Sequence, residues 1–128
     1  MKKKVVSLFV LGVASLILVA CGNTGGKPED MNEEIYNYGV SAVETTEEYL
    51  NADITADEAD NKMDTLEQSA NSIETDEMID KSVQASINLL AAQFRTLSYN
   101  SIDDNISDSD LNDLRDARDD LKETLNME

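Results

Sequence analysis

The sequence predicts an all-α protein: a small up-and-down bundle of three long helices and one shorter helix. Between residues 28 and 128, apolar residues recur at alternating spacings of three and four, which places them on one face of a helix. No run of strand length alternates β-branched or aromatic residues with polar ones. Ser, Thr and Pro precede the periodic segments, as expected at helix starts. Such spacing favours antiparallel packing at about 20°.

Residues 1–22 precede the bundle and contain the three parts of a secretory signal. Three lysines follow Met1, an apolar stretch extends from Val5 to Ala20, and small residues stand near its end. The sequence Leu18-Val19-Ala20-Cys21 closely resembles the lipobox of bacterial lipoproteins, which reads Leu, a small or aliphatic residue, Ala or Gly, then Cys. The resemblance implies a diacylglyceryl group on the Cys21 thiol, with acyl chains such as palmitate, and cleavage between Ala20 and Cys21.

On this interpretation the chain has three parts. Residues 1–20 are the lipoprotein signal peptide, residues 21–27 are the lipidated Cys21 with a flexible Gly-rich tether, and residues 28–128 are the acidic bundle. Other interpretations of the apolar stretch are an uncleaved membrane helix, an ordinary secretory signal and a buried helix. Its 16 residues fall short of the roughly 20 that span a bilayer. We therefore expect a lipid-anchored protein on the extracytoplasmic face of a bacterial membrane, of the Gram-positive type.

The first helix is predicted to begin at Pro28, because proline followed by acidic residues is typical of a first helical turn. Gly39 interrupts it, either to allow close helix contact or as a tolerated residue. Its apolar stripe comprises Met31, Ile35, Tyr38, Ala42 and Tyr49, with Val43 and Leu50 beside it.

The second helix is predicted to begin at Thr55, because Thr55 and Glu58 have the spacing of a capping box. Its stripe comprises Ala59, Met63, Leu66, Ala70 and Ile73.

The third helix follows Thr75-Asp76-Glu77 and has the broadest apolar stripe. A broad stripe indicates contact with more than one neighbour, so we expect this helix to be central. The stripe comprises Ile79, Val83, Ile87, Leu90, Phe94 and Leu97, widened by Met78, Ala85, Leu89, Ala91 and Ala92.

An acidic connector, residues 101–110, precedes the last and shorter helix, for which Ser107 or Ser109 is the expected N-cap. Ile102 and Ile106 are expected to cover the end of the bundle. The connector is rich in oxygen ligands that suit calcium, but its spacing does not follow the EF-hand pattern, so helix caps and solvated acids are favoured. The helical stripe comprises Leu111, Leu114, Ala117, Leu121 and Leu125.

Composition limits the classes of function. Three of the ten basic residues lie in the signal, so the mature chain would hold seven against 27 acidic ones, a net charge of about −20. Such a charge repels nucleic acid and anionic lipid headgroups. The sequence has no histidine, which removes ordinary zinc sites and Ser-His-Asp triads. We expect no enzyme activity, no catalytic residues, no metal, no cofactor and no small-molecule substrate.

The expected function is therefore binding to an unknown protein partner. Tyr36 and Val40 fall off the main stripe of the first helix, so they are predicted to form an exposed contact patch. Arg115 and Arg118 are expected to pair with Asp119 or with acids on a neighbouring helix. An alternative is a cation-binding or spacer lipoprotein of the cell wall, whose charge is itself the function.

The stretch Tyr49-Leu50-Asn51-Ala52-Asp53-Ile54-Thr55-Ala56-Asp57-Glu58-Ala59 resembles small helical lipoproteins of Gram-positive bacteria, some of them carried by phages and conjugative elements. Some lipoproteins of this kind block incoming phage DNA. The resemblance implies, as a further alternative, a role in superinfection exclusion or conjugation.

Overall fold

Residues 26–127 are described by a computed structural model, in which they form four α-helices. These are α1 (Glu33–Leu50), α2 (Ala56–Asn71), α3 (Met78–Ser101) and α4 (Asp108–Thr124). No strand occurs within residues 26–127, and the predicted all-α bundle is confirmed. The signal, the cleavage point and Cys21 lie outside the described residues.

Neighbouring helices are antiparallel, because the links between them, residues 51–55, 72–77 and 102–107, are too short for another arrangement. The cross-helix hydrogen bonds agree with this. Ser98 bonds Asp57 near one end of the α2–α3 pair, and Asn71 Nδ2 donates to Asn88 Oδ1 at 2.8 Å near the other. α1 and α3 each contact the other three helices, whereas α2 and α4 make almost no contact. The third helix is thus central, as predicted, but it shares that position with α1.

Two details of the elements differ from the predictions. The last helix has 17 residues and α2 has 16, so the last helix is not the short one. The first helix begins at Glu33 instead of Pro28, because Asn32 caps it. The Asn32 Oδ1 atom accepts from the backbone N–H groups of Glu34 at 2.8 Å and Ile35 at 3.2 Å, which satisfies donors that the helix leaves unpaired.

The predicted cap at Thr55 is confirmed, and Ser107, one of the two candidates for the last helix, is its N-cap. The Thr55 hydroxyl accepts from the Glu58 N–H at 3.2 Å, and the Glu58 carboxylate accepts from the Thr55 N–H at 3.3 Å. Ser107 and Asp110 make the same reciprocal pair, with both bonds at 3.1 Å. Each box satisfies two backbone donors and fixes where its helix begins.

The core is built from the predicted stripes. Most of their members are buried, and Tyr38, Tyr49, Leu66 and Ile73 are partly buried against them. The fully or almost fully buried members are Met31, Ile35, Ala42, Val43, Ala59, Met63, Ala70, Val83, Ile87, Leu90, Phe94, Leu97, Leu114, Ala117, Leu121 and Leu125.

One buried carboxylate joins three parts of the chain. Asp80, near the start of α3, is 2% exposed. Its Oδ1 atom accepts from the Asn32 N–H at 2.8 Å, and its Oδ2 atom accepts from the Thr75 hydroxyl at 2.6 Å. Because hydrogen bonds to a charged group are stronger than neutral ones, Asp80 ties the start of α1 and the α2–α3 link to the start of α3.

Candidate interaction surface

The contact patch predicted on the first helix is wrong. Tyr36 is 4% exposed and Val40 is 2% exposed, so both belong to the core. They fall off the main stripe, but α1 is packed against three helices, and this arrangement buries more of its circumference than a single stripe. Neither side chain is accessible to a partner in this fold.

The exposed large apolar side chains lie elsewhere. Among residues 26–127 they are Met78 at 74%, Leu89 at 51%, Tyr99 at 75% and Ile102 at 78% exposed. All four stand on α3 or directly after it. The expectation that Ile102 covers the end of the bundle is wrong, whereas Ile106 does pack against the core. Exposed apolar side chains scattered over a surface are ordinary, but a group on one element indicates an interaction site.

Three of them, Met78, Leu89 and Tyr99, belong to a continuous stripe on the side of α3 that faces away from the core. We call it the outer face of α3. Its members are separated by alternating steps of four and three residues, and all are exposed and uncharged: Met78, Ser82, Ala85, Leu89, Ala92, Thr96 and Tyr99. Four of the five residues that the sequence analysis assigned to a wider buried stripe, Met78, Ala85, Leu89 and Ala92, are thus exposed, and only Ala91 is buried.

The outer face of α3 is unusual in so acidic a protein. α3 contains three charged residues, Asp80, Lys81 and Arg95, and Asp80 is buried. The helix therefore exposes no carboxylate over its 24 residues. Since α2 and α4 both carry several acidic residues at their surfaces, the outer face of α3 is an uncharged strip between two acidic helices.

A groove lies along this strip where α3 meets α4. Ala92 and Thr96 have short side chains, and they line a depression of about 240 Å³ together with Leu97, Asp110 and Asp113. Leu89 stands one turn before Ala92 on the same face, and Tyr99 stands one turn after Thr96. We call this feature the α3 groove: a floor at Ala92 and Thr96, a larger apolar residue at each end, and Asp110 and Asp113 along the α4 side.

The two walls of the α3 groove differ in charge. On the α2 side, Arg95 lies 3.6 Å from Asp64 and 3.4 Å from Glu67, so its charge is already offset. On the α4 side, Asp110 and Asp113 have no ion-pair partner among residues 26–127. The groove therefore combines an apolar floor with an acidic wall that is free to attract cations.

A second group of acids surrounds Glu44 on α1. Burial, and then the neighbouring carboxylates of Glu48 and Glu47, raise the pKa of Glu44 to about 7, opposed by Lys62. Lys62 lies 3.5 Å from Glu48. The Glu44 Oε1 atom is shielded from solvent and has no hydrogen-bond partner among the described residues.

A further depression, of about 360 Å³, lies at the α1–α2 link beside the start of α4 and is lined in part by Tyr49, Leu111 and Arg115. Tyr49 packs edge-on against Phe94, with ring centroids 5.3 Å apart and planes at 89°. Burial, and then Asp110, raise the pKa of the Tyr49 hydroxyl. The depression contains part of the stretch 49–59, whose local structure is a helix end, a link and a capped helix start.

Several polar and charged groups of the last helix and its connector act locally, whereas Lys122 lies 3.8 Å from Glu47 on α1. Ser107 and Asp110, considered above as calcium ligands, form the N-terminal capping box of α4. Within residues 26–127 no group of three or more carboxylate, histidine or cysteine side chains is arranged to hold a metal ion. Arg118 pairs with Asp119 at 3.0 Å, as predicted, and Arg115 donates to Asn112 at 3.1 Å.

Comparison with protein-family models, curated proteins and solved structures found no match to this chain. Within residues 26–127, no helix has both the length and the apolar character needed to cross a bilayer.

Proposed function

We propose that this protein is a lipid-anchored, non-enzymatic protein of the bacterial cell surface that acts by binding another protein through the outer face of α3. The observation that carries the proposal is the grouping of exposed apolar side chains, Leu89 and Tyr99 among them, on one uncharged face of an otherwise acidic bundle. An exposed apolar strip with a polar border is typical of a protein interaction site.

The lipobox supports the anchor. Gly26, the first described residue, is five positions after Cys21, and extended chain spans about 3.5 Å per residue. A diacylglyceryl group on Cys21 would therefore keep the bundle within about 20 Å of the bilayer surface. Two acyl chains give stable membrane attachment, whereas one gives only marginal attachment.

The anchor is tested by Cys21→Ala in the native host. Without the thiol no thioether can form, so we expect at least about tenfold less protein in the membrane fraction than for the wild type. Asn23→Ala, which alters the same segment and keeps the thiol, is the matched control and should fractionate like the wild type. Equal membrane retention of Cys21→Ala and Asn23→Ala would contradict the anchor.

Protein binding is tested separately by site-specific crosslinking. A photoreactive amino acid is placed at Leu89 or Tyr99 on the outer face of α3, and at Ser72 or Asp116 on other exposed surfaces, and intact cells are irradiated. We expect protein adducts from the first two positions and none from the other two. The absence of adducts from every position would contradict a function in protein binding.

A further inference from the structure

We infer that the partner segment bound by the α3 groove is a cationic amphipathic helix, whose apolar face lies on the outer face of α3 and whose Lys or Arg residues reach Asp110 and Asp113. The inference rests on the proposed function, because it names the chemistry of the partner at that surface.

The first argument is the shape of the surface. Alternating steps of four and three residues match the seam along which one helix packs on another. Ala92 and Thr96 leave a depression on this seam, and Leu89 and Tyr99 project on either side of it, 51% and 75% exposed. A large apolar side chain of the partner can enter the depression, as anchor residues do when a helix binds in a groove.

The second argument is charge. Asp110 and Asp113 border the depression, and neither has an ion-pair partner within the described part of the chain. The Asp110 Oδ2 atom accepts from the Ser107 N–H, so Asp113 is the carboxylate whose charge is not already used within α4. A basic side chain of the partner, next to its apolar anchor residue, could form an ion pair with this wall without breaking any ion pair within the bundle.

Charge also decides between alternative occupants. A second copy of this chain would bring the same acidic wall and a like net charge of about −17 to −20, which opposes self-association. An anionic membrane surface is repelled for the same reason. A basic amphipathic helix is the occupant for which both the apolar floor and the acidic wall are complementary.

The test measures binding of three synthetic helical peptides of about 18 residues, long enough to pair with the outer face of α3. The first has leucines at alternating steps of three and four, flanked by lysines. The second replaces the lysines with glutamates, and the third replaces the leucines with glutamines. The acylated full protein is held in phosphatidylcholine nanodiscs, with empty nanodiscs as the blank. We expect saturable binding of the first peptide and at least about tenfold weaker binding of the other two.

Variants locate the site. Leu89→Gln and Tyr99→Gln change exposed side chains, so the fold is retained and circular dichroism should match the wild type. We expect each to raise the Kd of the basic peptide about tenfold. Ser72→Gln is the control, because it introduces the same side chain at an exposed position of the α2–α3 link that is not part of the outer face of α3. It should leave the Kd unchanged.

The contribution of the acidic wall to binding is tested in the same way. Asp113→Asn should raise the Kd about threefold and reduce its dependence on salt. Asp116→Asn removes an equal charge from an exposed position of α4 that does not line the depression, and it should have no such effect.

Three results would overturn the inference: no saturable binding of the basic peptide up to about 1 mM, equal binding of the basic and acidic peptides, or equal Kd values for Leu89→Gln and Ser72→Gln. Concentration-dependent self-association that Leu89→Gln abolishes would also overturn it and would assign the groove to a second copy. If any of these results is found while crosslinked adducts still form in cells, only the inference of a cationic amphipathic helix is rejected, and protein binding by the outer face of α3 is retained. The absence of adducts removes the proposed function itself.

Discussion

Glu44 is a residue whose ionisation opposes folding. In the unfolded chain its carboxyl group has the ordinary pKa of 4.5, whereas burial and the carboxylates of Glu48 and Glu47 raise the pKa to about 7 in the fold. Below about pH 4.5 both states are protonated and the group contributes nothing. Between the two pKa values the folded state alone holds the proton, so this contribution to stability falls as the pH rises.

Glu44→Gln removes the free-energy cost of ionising Glu44 in the folded state. We expect the variant to be more stable than the wild type by about 1 kcal/mol at about pH 8, after allowing for partial exposure of the group, and to be equal to it near pH 4. Urea unfolding at a series of pH values measures the difference. Glu123→Gln, which removes an equal charge from an exposed position on α4, controls for the fall in net charge. An equal gain from the two variants at pH 8 would show that Glu44 bears no special cost.

Residues whose environment depends on distant parts of the chain could not be predicted from the sequence. Its sequence neighbours identify Asp80 only as an acid in the first turn of a helix. Its hydrogen-bond partner Asn32, however, is 48 residues away in the sequence. Tyr36 and Val40 are off the main stripe of α1, and only the presence of three neighbouring helices buries them. In each case the decisive contact is tertiary, so a local pattern carries no information about it.

At the scale of elements, the packing of Leu125 and Val83 against α1 explains Gly39. A Cβ atom at this position would lie 2.9 Å from Leu125 Cδ2 and 3.1 Å from Val83 Cγ1. Gly39→Ala gains about 1 kcal/mol of helix propensity, but inserting a methyl group into a packed core costs about 1–3 kcal/mol. We expect a net loss of about 1 kcal/mol in the free energy of unfolding, measured by denaturation.

A double-mutant cycle isolates the cause. Leu125→Ala alone should cost about 3 kcal/mol, since it empties a fully buried position. In that background the methyl group of Gly39→Ala has room, so the second substitution should be neutral or stabilising. If Gly39→Ala has the same effect in both backgrounds, contact with Leu125 is not the reason for the glycine.

The start of a helix was predictable where its signal is contained within a few residues. The capping boxes at Thr55 and Ser107 are such signals, because both members of each box lie in one turn. The predicted start of α1 at Pro28 was wrong, because the side chain of Asn32 caps the helix four residues later. The broad stripe of α3 indicated contact with several neighbours. Which of its apolar residues face solvent depends on where those neighbours lie, so the outer face of α3 was missed.

At the scale of the whole molecule, charge and apolar surface are separated. The acids are spread over α1, α2, α4 and the links, whereas the outer face of α3 is uncharged. The acidic helices keep the bundle soluble and oppose self-association, and the uncharged face remains available for a partner. A lipid anchor would add proximity to a membrane, which raises the effective concentration of any partner held in the same membrane.

The same charge should make the bundle more stable as salt is added. With a net charge between −17 and about −20, repulsion among carboxylates outweighs the few ion pairs, and folding brings those charges closer together. Raising NaCl from about 0.01 M to about 1 M shortens the screening length from about 30 Å to about 3 Å, so we expect Tm to rise by about 5 °C. Calcium chloride at matched ionic strength tests the cation-binding alternative, since a specific site would raise Tm well beyond the NaCl value. A fall in Tm with NaCl would mean that ion pairs such as Lys62–Glu48 outweigh the repulsion.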